Sequence, residues 1–95
     1  MTAAPRYSVL ELCKNRAGYE AAPDRPLALD LEQVKRATEE AGWETLAEAG
    51  IILVSRTGFV EVSIFESGKL LFKTREQERA EQAMREFFGI MGWSP

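Results

Sequence analysis

Cys13 is the single cysteine of this chain, and no histidine accompanies it. A thiol becomes a nucleophile when a neighbouring base or cation lowers its pKa; without a histidine to do so, Cys13 reads as a small apolar residue of a strand. The same two counts exclude an intrachain disulfide and a His/Cys zinc site. Carboxylates are plentiful, with close pairs at Glu39-Glu40 and Glu76-x-Glu78. Acid–base work needs two carboxyls whose environments push their pKa values apart. These pairs fall on helix faces expected to be wet, and their spacing does not match an EF-hand loop. "ESGK" at Glu66 to Lys69 lacks the P-loop pattern and its strand-to-helix setting, so it predicts a hairpin turn with Gly68 at positive φ instead of a phosphate cradle. Lys69, Lys73, Arg75 and Arg79 form a basic strip that Glu76, Glu78 and Glu81 dilute, which suits a solvated helix start. No catalytic, cofactor-binding or metal site emerges, and the expectation is a protein that is not an enzyme.

The elements that carry these residues follow from composition and periodicity. Ninety-five residues suit one domain spanning 1–95, and 45% hydrophobic with 28% charged residues is a globular composition. No apolar run reaches the length of a membrane span and no basic-then-apolar leader opens the chain, so a cytoplasmic protein without membrane contact is expected. Net charge is −3, and its whole excess lies in the first half, where Met1 to Glu48 holds 6 basic and 9 acidic residues. Bulk charge therefore gives nucleic-acid binding no help.

"YSVLELC" at Tyr7 to Cys13 alternates, with Leu10 and Leu12 on one side and Val9, Glu11 and Cys13 on the other, and predicts a first strand. Two prolines, a glycine and scattered charges predict a loop from Lys14 to Pro26. A helix then opens on Asp30 with Gln33 completing a capping box, buries Leu31, Val34, Ala37 and Ala41, and stops at Gly42. Trp43 to Ala49 fits a short strand or a helical turn equally. Beyond Gly50 the period becomes two: Ile51 to Ser55, Phe59 to Phe65 and Lys69 to Lys73 read as strands joined by turns at Arg56 to Gly58 and Glu66 to Gly68. Val60, Val62, Ile64, Leu70 and Phe72 share the core face, leaving Phe59, Glu61, Ser63, Phe65, Leu71 and Lys73 on the opposite one. A last helix, with Thr74 and Gln77 as a second capping box, carries the stripe Ala80, Ala83, Met84, Phe87, Phe88 and Met91. The expected class is α+β: an antiparallel sheet in the order β-α-β-β-β-(β)-α with both helices on one face and no cover on the other.

Within this frame, "LDLEQV" at Leu29 to Val34 is similar to the "LDL" that opens the first helix of a half-repeat of the TATA-binding protein family, and "SIFESGKLLFKT" at Ser63 to Thr74 resembles its "LIFxSGK" hairpin. Trp43 stands where the family has an aromatic, and "MGW" at Met91 to Trp93 resembles its closing "IGF". The resemblance spans about 29–93; the loop of residues 14–26 is longer than the family's link. A single-copy version of this architecture stands at the N-terminus of ribonuclease HIII. In the family a phenylalanine at the position of Phe65 wedges between base steps of a bent minor groove. The partner phenylalanine corresponds to a position near Glu48, where a carboxylate would face phosphates. Ser63, Leu71 and Lys73 correspond to other sheet-face contacts, and Glu61 adds a negative charge beside them.

Two functions follow as expectations. The first is a non-catalytic module that uses the uncovered face, or the sheet edge, to bind a protein partner or a second copy of itself as a homodimer. The second is nucleic-acid binding, to a minor groove or an RNA/DNA hybrid, with Phe65 as wedge and Lys69, Lys73 and Arg75 on phosphates.

Overall fold

A computed structural model describes residues 5–12, 17–58 and 60–93. Their order is β1 (Glu11–Leu12), β2 (Tyr19–Ala21), α1 (Leu31–Glu40), β3 (Glu44–Ala49), β4 (Ile52–Thr57), β5 (Val60–Phe65), β6 (Leu70–Lys73) and α2 (Gln77–Met91). The strands form one antiparallel sheet in the spatial order β1-β2-β6-β5-β4-β3. This is the α+β class expected, with one more strand ahead of the first helix than the sequence order anticipated.

Period-two burial decides which side of the sheet each residue serves. Val60, Val62 and Ile64 of β5, Leu70 and Phe72 of β6 and Leu53 of β4 are all buried. The register aligns them: Leu53 pairs with Ile64 and Ile64 with Leu70, while Val62 pairs with Phe72. Val34 of α1 and Ala80, Ala83 and Phe87 of α2 complete the same core. Both helices therefore cover this one face, and they also touch each other. Each large side chain buried there contributes roughly 1.5–3 kcal/mol, so the stripe on α2 is explained by packing alone.

α1 begins as expected. The Asp30 carboxylate accepts from the amides of Glu32 and Gln33 at 3.1 and 3.4 Å, and the chain leaves the helix at Ala41 and Gly42. Ala41 is exposed, however, and the buried position of the last turn is Thr38. Its hydroxyl donates to the Val34 carbonyl at 2.9 Å, a bond within the helix that lets a polar side chain enter the core. The second capping box does not form. The N-cap of α2 is Glu76, which gives no side-chain cap, and the Thr74 hydroxyl instead accepts the Glu76 amide at 3.1 Å. Trp43 to Ala49 resolves as strand, with Trp43 buried just before β3.

The N-terminal third differs most from expectation. Only Glu11 and Leu12 form a strand where one was anticipated over Tyr7 to Cys13, and Cys13 lies outside the described residues. Tyr19 to Ala21, inside the expected loop, is a strand because β6 offers a free edge, to which it pairs through Tyr19–Phe72, Glu20–Leu71 and Ala21–Leu70. Gly18 permits this approach, since a Cβ there would overlap the Phe72 carbonyl oxygen. Tyr7 then folds onto the helix side. It stacks obliquely on Phe88 at 5.0 Å and donates its hydroxyl to the Gly68 carbonyl at 2.6 Å. Gly68 sits at φ +95°, as the turn reading required, and is walled in by Leu27 and Pro23.

Candidate interaction face

The sheet side opposite the helices is built from the alternate residues of the same strands. Three cross-strand rows follow from the register. The first runs Ala49–Ile52–Phe65, with Lys69 at its end. The second runs Ala47–Val54–Ser63–Leu71–Glu20–Glu11. The third runs Glu44–Arg56–Glu61–Lys73. Ile52, Val54, Phe65 and Leu71 are half-buried and form an apolar centre.

The structure thus brings together Glu61, Ser63, Phe65, Leu71 and Lys73, as sequence alternation predicted. Phe59, the remaining member of that set, lies outside the described residues. Ile52, Val54, Arg56, Glu44 and Glu20 belong to the same face and were missed. For β4 the signal was present, since its partner strand was already phased and hairpin pairing carries the phase across. For Glu20 it was not, because β2 exists only through its partner.

Among the described residues, the cations of the three rows are each matched by a carboxylate. Lys69 pairs with Glu20 at 3.3 Å and lies 5.7 Å above the Phe65 ring. Lys73 pairs with Glu61 at 3.8 Å, and Arg56 pairs with Glu44. Arg75 is exposed beyond the end of β6. An incoming phosphate would have to displace these carboxylates, and Glu11 adds a further negative charge at the rim of the face.

Glu48 does not belong to this surface. A β-bulge between Thr45 and Ala47 inserts Leu46 as an extra residue and reverses the alternation, so Glu48 pairs with Leu53 and turns to the helix side. There it meets Lys35 of α1 at 3.1 Å. The Glu48 hydrogen bond and charge hold the Lys35 ammonium above its ordinary pKa. The expected opposition between Glu48 and phosphates is therefore corrected: Ala47 and Ala49 occupy that part of the open face.

Elsewhere the side chains offer less. Glu39, Glu40, Glu76 and Glu78 are all exposed, Glu39 accepting from the Thr45 hydroxyl and Glu76 pairing with Arg79. A cleft of about 400 Å³ between the start of α1 and the β3–β4 turn is lined by Asp30, Glu32, Glu48 and Glu66 among others. Two of these carboxylates are already engaged, Asp30 by the helix amides and Glu48 by Lys35. No protein family, curated protein or solved structure matches the chain.

Proposed function

We propose that this protein is a non-catalytic binding module whose open sheet face is its contact surface for another protein. The observation that carries the reading is the apolar centre Ile52–Val54–Phe65–Leu71 set between charges that are already neutralised in pairs, a composition like that of a protein interface with an apolar middle and polar rim. The face is favoured over the edges. β3 carries a bulge together with Glu44 and Glu48, and β1 is two residues long, both devices that blunt strand addition.

The succession β2-α1-β3-β4-β5-β6-α2 is compatible with a TATA-binding-protein-like half-repeat and supports that resemblance. Nucleic-acid binding through the same face is the weaker reading, because Lys69 and Lys73 are held by Glu20 and Glu61. The test is a photo-cross-linking amino acid placed at Leu71, compared with the same group at exposed Arg85 on α2, in cells expressing the full chain. Protein adducts from position 71 alone are expected. Nucleic-acid adducts there, or equal labelling from both positions, would overturn the reading.

A further inference from the structure

The third row of the open face, Glu44–Arg56–Glu61–Lys73, alternates in sign from β3 to β6. Read backwards, a − + − + row becomes + − + −, so it is complementary to its own reversal. A two-fold axis lying between two stacked sheets and parallel to their strands performs that reversal. If the axis passes between β4 and β5, Arg56 meets Glu61 of the second copy and Glu44 meets its Lys73, each pair occurring twice by symmetry.

The other rows obey the same operation. Ile52 falls against Phe65 of the second copy, Ala47 against its Leu71, and Val54 against its Ser63. No like charges meet in these three rows, and no apolar residue of the centre is set against a carboxylate. A two-fold axis along the cross-strand direction would instead lay the charged third row over the apolar first row. Only the strand-parallel axis satisfies both. Lys69 falls against Ala49 of the second copy, while Glu20 and Glu11 project beyond its β3 and stay in water.

We infer that the occupant of the open face is a second copy of this chain, stacked face to face about a two-fold axis that runs between β4 and β5. This rests on the reading of the face as a protein-binding surface and names its partner. Sheets pack in this way about 10 Å apart with strands within roughly 30° of alignment, each copy supplying one layer. The resulting particle has four layers, helices outside and two sheets within.

The experiment is sedimentation equilibrium on the full chain and on two single charge reversals, Arg56→Glu and Glu61→Arg, with circular dichroism to verify their folding. The wild type is expected to dimerise with rising concentration. Each reversal sets like charges opposite one another twice, and weakens self-association by about tenfold or more. An equimolar mixture of the two variants regains dimerisation, because Glu at position 56 of one copy then faces Arg at position 61 of the other. A wild type that stays monomeric at high concentration overturns the inference, as does a dimer that the reversals leave unweakened or that mixing does not restore. A monomeric wild type whose Leu71 cross-linker still captures a different protein removes self-pairing alone; absence of any protein adduct removes the binding reading with it.

Discussion

The two sides of the sheet use the same strands and the same turns, yet different principles govern them. On the covered side, Leu53, Val62, Ile64, Leu70 and Phe72 are shut away from water against Phe87 and its neighbours on the helices. On the open side, Val54, Phe65 and Leu71 stay half-buried, and Arg56, Glu61, Lys69 and Lys73 are held in ion pairs. A residue's contribution to stability is thus set by which parity it occupies in the strand. The covered parity holds the fold, while the open parity is left to present a surface.

Substitution at paired positions should separate the two sides sharply. Phe87→Ala leaves a cavity in the centre of the core and is expected to cost about 3–5 kcal/mol, read by urea denaturation. Gly18→Ala comes next: its methyl group meets the Phe72 carbonyl, and about 2 kcal/mol should be lost. Hydrogen exchange would show that loss concentrated in the amides of Tyr19 to Ala21, with the α2 amides little changed.

Tyr7→Phe removes the hydroxyl bonded to Gly68 and should cost about 1 kcal/mol. Burial pushes the Tyr7 phenol well above its ordinary pKa of 10.0, so its stabilising effect is complete below pH 10 and fades as pH rises above that value. Alkaline denaturation curves for wild type and Tyr7→Phe should accordingly converge. The smallest effect belongs to the open side. Phe65→Ala should change stability by less than about 1 kcal/mol while abolishing the contacts proposed for that face. A Phe65→Ala loss equal to that of Phe87→Ala would erase the distinction between the sides.

The same distinction explains what could be read from sequence. Strands β5 and β6 and the stripe of α2 were legible because each residue's neighbours in sequence fix its phase, and burial follows phase. The strand at Tyr19 to Ala21 was not, since "YEA" carries little strand signal and depends on β6 for its partners. Thr38 escaped because polarity argues against burial until the Val34 carbonyl is seen to satisfy it. Of the open face, the members on β5 and β6 were visible, whereas Glu20, Glu44 and Arg56 required the strand order. Glu48 was misplaced because an uninterrupted alternation from Glu44 would set both on one side, and only the pairing reveals the inserted residue.

That inserted residue, Leu46, is a spare residue of β3, one that the pairing with β4 passes over. Removing its codon would leave every pair in place, Thr45 with Ser55 followed directly by Ala47 with Val54 and Glu48 with Leu53, so Glu48 would keep to the helix side and to its Lys35 partner. For this molecule an in-frame deletion of that codon is thus a change of length that the outer strand absorbs, with the facing of every other β3 residue and the whole buried half left as they are.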